Sequence, residues 1–276
     1  MKRIVFIALL LGFCWPPAIF AQALVSARGR QSSVVDSDAA MVTFEPADQH
    51  TLPALNVGPE LPVMSADLAL QSYLRRAALQ PAQLASYSAV TVIHAELPDT
   101  SQHGDFEVER SYNAPHTLLF KPIRFVGDKF VKSNVIARLL QSEVDHVQKD
   151  DGGETALTPA NYKFSNKGKT DVQGHLAYVY QVKPHHKRAG LFKGHMYLDA
   201  HTGSLLRVEG NVVKSPSFFV SHIQFVQDYN DFDSFTFPVH IHSEAKARLV
   251  GRTIIDITHT HYVPVPVQTQ AVIPTM

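Results

Sequence analysis

Two stretches of the chain repeat apolar residues at helical spacing. In the first, Ser65 can act as the N-cap, apolar residues recur every three to four positions as far as Ala77, and Pro81 is expected to end the helix. The second stretch follows Ser133 and is predicted to be helical over residues 134–149, where Val, Ile and Leu recur at the same spacing. Each helix has one apolar stripe, so we expect each to lie on a sheet rather than inside a bundle.

Most of the remaining chain has the composition of β-strands. Strands rich in Val, Ile, Tyr, Phe and Thr are predicted at Ser86–Glu96, Phe106–Asn113, Thr117–Phe125, Ala177–Val182, Phe192–Leu198, Leu205–Asn211, Phe218–Val226, Phe237–Glu244 and Arg252–Tyr262. Their short connections imply antiparallel neighbours, and no regular alternation of strand and helix is present. The predicted fold class is mainly β (α+β), a large curved antiparallel sheet or unclosed β-barrel with two or more helices covering the concave face.

Alternation along these strands places a set of apolar side chains on one face of the sheet. The set comprises Met196, Leu198, Leu206, Val208, Phe219, Ile223, Phe225, Val239 and Ile241. Val220, His222 and Gln224 are expected on the other face, as are His240 and His242. Two interpretations remain open. The helices could simply fill this apolar face, or they could roof a cavity that holds a lipid or an acyl chain, lined by the nine residues of the set.

The N-terminus has the layout of a cleaved secretory signal peptide. A basic start at Lys2 and Arg3 precedes a short apolar run, and Ala21 and Ala23 supply small residues at the positions that a signal peptidase reads. We therefore expect a signal peptide over residues 1–23, a flexible leader over 24–64, the folded domain over 65–262 and a disordered tail over 263–276. The single cysteine, Cys14, would be removed with the signal peptide. A mature chain without disulfides favours a bacterial, periplasmic protein.

Composition and motifs argue against several functions. The chain has 25 Lys+Arg and 25 Asp+Glu, so it lacks the basic excess that is typical of nucleic-acid binding. A Gly-x-Ser-x-Gly motif, a phosphate-binding glycine loop and a dinucleotide motif are all absent from the sequence. Asp105, Glu107 and Glu109 alternate along one strand, as in a solvated strand face. We expect no catalytic activity and no cofactor.

Histidine is unusually frequent, with 15 in the chain. His240 and His242 are two positions apart on a strand and are predicted to share a face, as are His259 and His261. Neither pair has a complete ligand set in the sequence, so we expect no metal site. A basic run over residues 183–188 is predicted to be an exposed hairpin loop, with contact to acidic headgroups as the alternative.

The C-terminal half resembles a known family. A strand over Gly174–Pro184 opens with Gly and closes with Lys-Pro, a hairpin over Met196–Glu209 carries an Asp-x-x-Thr-Gly turn, and a strand over Phe235–His242 begins with a Phe-Pro pattern. In this order the three segments resemble the periplasmic lipoprotein-carrier superfamily, which includes LolA, LolB, the N-terminal domain of RseB and related lipoprotein-sorting proteins. The resemblance covers about residues 66–262. It implies an unclosed antiparallel barrel with a helical lid, an apolar concave face for acyl chains, and neither catalytic residues nor a cofactor.

Two functions are therefore predicted as alternatives. The first is an exported periplasmic carrier that binds a lipid or a lipidated protein in the apolar cavity and can contact the membrane peripherally. The second is an envelope interaction or stress-sensor module that uses the same fold for other envelope proteins without a lipid ligand. A cavity of several hundred cubic ångströms beneath the helices would favour the first, and a filled interface the second.

Overall fold

The structure is a computed structural model that describes residues 62–149, 152–215, 220–248 and 250–268. The predicted signal peptide, nearly all of the predicted leader and most of the predicted tail lie outside these residues. Among the described residues no helix has both the length and the apolar character needed to cross a bilayer.

The described chain forms ten strands, four α-helices and one π-helical turn. The first α-helix is the longest. The helices are α1 (Ala66–Gln83), α2 (Lys129–Val131), α3 (Ala137–Lys149) and α4 (Gly152–Thr155), and the π turn, Lys132–Ile136, joins α2 to α3. The strands are β1 (Leu84–Leu97), β2 (Gln102–Asn113), β3 (Thr117–Gly127), β4 (Tyr162–Val172), β5 (His175–Pro184), β6 (Phe192–Asp199), β7 (Leu205–Val212), β8 (Val220–Phe232), β9 (Phe235–Ala247) and β10 (Gly251–Pro266). A short 3₁₀ helix, Pro98–Thr100, joins β1 to β2.

All ten strands belong to one antiparallel sheet, in the order β3-β2-β1-β10-β9-β8-β7-β6-β5-β4. Two meanders meet where β1 pairs with β10, so β3 and β4 form the two edges of an open sheet. Residues 128–161 connect these edges and contain α2, the π turn and α3. We call residues 129–149 the crossover helices. The predicted fold class, a large unclosed antiparallel sheet with helices on one face, is confirmed.

The helices pack on one face of the sheet, which we call the inner face. The hydrophobic core on this face divides into three clusters. The α1 cluster is formed by buried residues that include Ala69, Tyr73, Tyr178, Tyr180, Val182, Phe192, Met196, Leu198, Leu205, Val208 and Phe225. The crossover cluster packs Val131, Val135, Ile136, Leu139 and Leu140 on Ile93, Phe106, Val108, Ile223, Ile241, Ile255 and Ile257, with further small residues. The tyrosine cluster contains Leu84, Tyr87, Ala89, Tyr112, Leu118, Phe235, Phe237 and Tyr262.

Helix α1 begins where the sequence predicts. The Ser65 hydroxyl accepts a hydrogen bond from the Leu68 amide at 3.2 Å. The helix continues past Pro81 to Gln83, so the prediction that Pro81 ends it is wrong by two residues. A helix so near its end loses little when one backbone donor is missing.

The second helix begins earlier in the chain than the sequence predicts. The structure begins it at Lys129 after Asp128, and Ser133 lies inside the π turn rather than before a helix. Strand β4 was not predicted, because its central residues are Lys, Ser, Asn and Gly and offer no apolar alternation. The nine predicted strands are all present, and each is one to five residues longer than expected.

A β-bulge in β8 changes which side chains face the helices. His222 has a left-handed backbone with φ of 51°, and the β8–β9 register shifts there. This extra residue brings Val220 to the inner face beside Ile223, so the prediction that Val220 faces the other way is wrong.

At the ends of the described domain the chain remains attached to the sheet. The Met64 amide donates to the Ala200 carbonyl at 2.9 Å, and the Tyr178 hydroxyl donates to the Met64 carbonyl at 2.7 Å. At the other end β10 continues to Pro266, which is opposite Leu84 in the β1 register. The predicted leader and tail therefore each contribute a few residues to the folded domain.

Candidate functional site

The nine predicted cavity residues divide between two clusters of the inner face. Met196, Leu198, Val208 and Phe225 belong to the α1 cluster, and Ile223 and Ile241 belong to the crossover cluster. Leu206 and Val239 are half-buried beside register shifts in the sheet, and Phe219 lies outside the described residues. A bulge between Tyr197 and Leu198 makes Leu205, not Leu206, the partner of Leu198, so Leu205 takes the inner position that was predicted for Leu206.

The inner face is filled by the helices at these positions. Met196 and Leu198 are fully buried, and Phe225, the most exposed of the six clustered candidates, retains 5% of its surface. Apolar burial of this kind is the main stabilising contribution to the fold. A ligand that uses this face would therefore have to displace a helix.

One charged pair lies within this apolar interface. Arg110 on β2 forms an ion pair with Glu143 on α3, and their side chains are only 10% and 7% exposed. The Arg110 Nε also donates to the Tyr87 hydroxyl at 2.8 Å, and its guanidinium lies 5.3 Å from the centre of the Phe120 ring. Burial alone would lower the pKa of Arg110, but the Glu143 carboxylate more than offsets this and the pKa is raised. Arg110 thus remains charged, and its ion pair with Glu143 ties the crossover helices to the sheet.

Aromatic rings surround the charged pair on the sheet side. Tyr87 stacks on Tyr112 with ring centres 5.5 Å apart, and Tyr262 stacks on Phe237 at 4.5 Å. Burial raises the pKa of Tyr87 and that of Tyr262, so both hydroxyls remain protonated and can donate. Arg110 and the Tyr87 hydroxyl thus form a small polar cluster within a large apolar surface.

His259 is a second polar side chain buried on the inner face. Its Nδ1 lies 2.9 Å from the Thr91 hydroxyl, and burial followed by the nearby Arg110 lowers the pKa of His259 well below its ordinary value. His259 is therefore neutral at neutral pH. His261 has a left-handed backbone with φ of 54° and is exposed, so the prediction that His259 and His261 share a face is wrong.

The two helical covers are held in different ways. Helix α1 makes polar contacts at successive turns: Ser72 with the Thr202 carbonyl, Arg76 with Asp231, and Gln80 with both backbone groups of Thr236.

The crossover helices contain an irregularity that α1 lacks. Five residues, Lys132–Ile136, form a π turn, whereas α1 is an uninterrupted α-helix from Ala66 to Gln83. π turns are frequent at functional sites. Of the two covers, the crossover helices are therefore the one whose backbone departs from regular α-helical hydrogen bonding.

On the opposite, outer face the histidines stand beside carboxylates. The His94 Nδ1 lies 2.7 Å from Asp105, and the His242 Nδ1 lies 2.7 Å from Asp256. His240 is also on this face, as predicted, 3.7 Å from Asp256. Among the residues that the structure describes, no group of three or more His, Cys, Asp or Glu side chains has the arrangement of a metal site.

A shallow cavity of about 350 Å³ opens on this outer face. Its lining includes His195, Glu209, Gln224, His242 and Glu244. Glu209 accepts from the Tyr197 hydroxyl at 2.7 Å, and Glu244 is bound by the Arg252 guanidinium, so both carboxylates are already engaged. This cavity has a mixed polar and apolar lining and lies on the solvent side of the sheet, whereas the predicted cavity lies beneath the helices and is apolar.

Comparison with known proteins gives structural neighbours only. No family model matches the sequence, and no curated protein is similar to it. The chain is similar to an outer membrane lipoprotein-sorting protein domain from Vibrio parahaemolyticus, with 12% identity, 75% of this chain and 96% of that chain covered, and a TM-score of 0.38. It is also similar to a LolA superfamily protein from Nitrosomonas europaea, with 9% identity, 72% and 93% covered, and a TM-score of 0.35.

A third neighbour is a DUF1329 family protein from Desulfovibrio piger, with 10% identity, 74% of this chain and 95% of that chain covered, and a TM-score of 0.37. These are similarities only, and at such identities and TM-scores they do not place the chain in the superfamily of any neighbour. Identities and TM-scores this low say nothing about ligand or partner, which must be inferred from the residues of this chain.

Proposed function

We propose that the chain is a carrier-type protein that binds an anionic amphiphile on its inner face, beneath the crossover helices. The observation that supports this most directly is the buried Arg110–Glu143 pair. A buried ion pair seldom stabilises a fold more than well-packed apolar residues would, so its position between sheet and cover calls for another role. We infer that Arg110 exchanges the Glu143 carboxylate for the acidic group of a ligand when the crossover helices move away.

The free energy lost when the crossover helices leave the sheet and the free energy gained when an acyl chain is buried there are similar in size. Five buried apolar side chains of the crossover helices contribute on the order of 10 kcal/mol when packed on the sheet. An acyl chain of about 16 carbons regains about 0.8 kcal/mol per buried methylene, again on the order of 10 kcal/mol. A chain of that length could therefore replace the helices on the inner face at little net cost, as a carrier that loads and unloads requires.

An amphiphile pair that differs only in its headgroup tests this proposal. Wild-type protein should bind palmitate at least tenfold more tightly than hexadecanol, because the alcohol offers Arg110 no charge. Arg110→Met should abolish this preference while retaining the binding of hexadecanol. The matched control is Arg207→Met, which removes an ion pair with Asp228 on the outer face and should leave the preference unchanged.

An interaction module without a lipid ligand is the second candidate. The filled inner face favours it, since such a module would need no displacement of helices. If folded wild-type protein binds neither palmitate nor hexadecanol, the carrier proposal fails and the interaction module takes its place.

A further inference from the structure

The outer face carries its charges in two separate regions, although the whole chain has equal numbers of acidic and basic residues. At one end, on β9 to β2, carboxylates such as Asp256 and Asp105 have histidine partners. At the other end, on β4 to β6, three lysines lie on adjacent strands. We call Lys163, Lys183 and Lys193 the lysine row.

Strand register places these three side chains next to one another. Lys163 on β4 is directly opposite Lys183 on β5. Lys193 on β6 is one position beyond the last registered pair of β5 and β6, Val182 with Gly194, and so follows Lys183 across the sheet. All three are exposed, and each is adjacent in sequence to a buried inner-face residue, which fixes them on the outer face.

The lysine row itself contains no acidic residue, and within the described part of the chain none of its three ammonium groups forms an ion pair. The next residue across the sheet is Asn211. The row alongside consists of Ser165, Gln181, His195 and Glu209, and the Glu209 carboxylate accepts a hydrogen bond from the Tyr197 hydroxyl instead. Like charges directly opposite on neighbouring strands destabilise a sheet, so the row favours a bound anion.

Protection of a sheet edge explains part of this arrangement but not all of it. Lysines on an edge strand discourage pairing with other chains, and Lys163 lies on the edge strand β4. Lys183 and Lys193 lie on β5 and β6, which have neighbours on both sides, so edge protection gives no reason for them.

The basic region continues beyond the row into the adjacent loops. His186 and Lys187 are exposed in the connection after β5, and Lys214 is exposed after β7. Arg188 pairs with Glu154 and so contributes less. The prediction of an exposed basic loop over residues 183–188 is therefore met for His185, His186 and Lys187, and the basic region extends across three strands.

We propose that this outer surface of β4 to β6 docks on an anionic phospholipid membrane. The lysine row spans about 10 Å, two strand spacings, on an exposed surface without cavity walls. A single small anion is usually held by converging donors or by the planar fork of an arginine, and the row has neither. Separate, flexible ammonium groups suit an extended layer of phosphate headgroups, which attracts each lysine independently.

Vesicle binding by the full chain tests the proposal. Wild-type protein should bind phosphatidylcholine vesicles containing about 30% phosphatidylglycerol and not pure phosphatidylcholine, with binding lost at about 0.5 M salt. The triple variant Lys163→Gln, Lys183→Gln, Lys193→Gln should bind about a hundredfold more weakly. The matched control, Lys121→Gln, Arg124→Gln, Lys246→Gln, removes the same charge from other exposed positions and should bind within threefold of wild type.

Three outcomes would overturn the proposal: no binding to the anionic vesicles, an equal loss in both triple variants, or tighter binding to duplex DNA than to vesicles with the same dependence on the lysine row. The result is independent of the proposed acyl-chain site, because Arg110→Met should still bind anionic vesicles like wild type.

Discussion

Arg110 and Glu143 are 33 positions apart in sequence, yet they form an ion pair that is about nine-tenths buried between the second strand and the third helix. The surrounding interface is otherwise formed mainly by aliphatic and aromatic side chains. Because removal of either partner leaves an uncompensated charge in an apolar environment, the two residues should be energetically coupled.

Double-mutant analysis should reveal this coupling. Arg110→Met and Glu143→Leu are each expected to lower the free energy of unfolding by about 3–5 kcal/mol, since each strands a buried charge. The double variant should be more stable than either single variant, because it buries no charge at all. Urea denaturation of the four proteins measures this, and strictly additive losses would contradict the assignment of the pair as buried and coupled.

The pH dependence of stability should contain an outer-face contribution from His94. Hydrogen bonds to Glu96, followed by Asp105, raise the pKa of His94. A raised folded-state pKa adds stability that is complete below the unfolded value of about 6.5 and disappears as the pH rises through the folded value. His94→Gln should therefore destabilise the protein at pH 5.5, by less than about 1 kcal/mol for so exposed a pair, and have no such effect at pH 8.5. An equal loss at both pH values would contradict this.

The contribution of His259 to the pH dependence of stability should have the opposite sign to that of His94. Burial lowers its pKa well below the ordinary value, so the stability it supports is present above about pH 6.5 and is lost as the pH falls through the folded value. His259→Gln should remove part of the acid sensitivity, and the difference in melting temperature between variant and wild type should therefore shrink as the pH falls from 7.5 to 5. A difference that is constant over this range would show that His259 is not buried in its neutral form.

The turn between β6 and β7 should tolerate no side chain at Gly203. Gly203 has φ of +71°, and an added Cβ would lie 2.8 Å from both the Ala69 carbonyl oxygen and the Ser72 Cβ of helix α1. Gly203→Ala should therefore lower stability by more than about 1 kcal/mol, through backbone strain and contact with the helix. Gly174→Ala is the matched control, since Gly174 has φ of +85° with open space around it. Equal losses in the two variants would show that packing on α1 plays no part.

The sequence pattern was sufficient for the overall fold because most strands are buried on one face and therefore alternate. It failed where the alternation is weak or interrupted. β4 is an edge strand with polar residues at its centre, and the bulges at His222 and near Leu205 shift the inward positions by one residue.

The charged pair in the candidate site could be predicted only in part. Arg110 follows Phe106 and Val108 at steps of two, so the alternation already places an arginine on the inner face. An arginine at such a position needs a buried partner, which is a signal that the sequence does contain. The partner Glu143 could not be predicted, because its position depends on where the crossover helices lie and on a π turn that shifts the helical phase.

Amide hydrogen exchange with and without saturating palmitate tests the central claim most directly. If the ligand takes the place of the crossover helices, exchange over residues 129–149 should become faster on binding, while α1 over residues 66–83 keeps its protection. Protection of residues 129–149 that stays the same or increases at saturation would contradict the claim that these helices leave the inner face to admit an amphiphile.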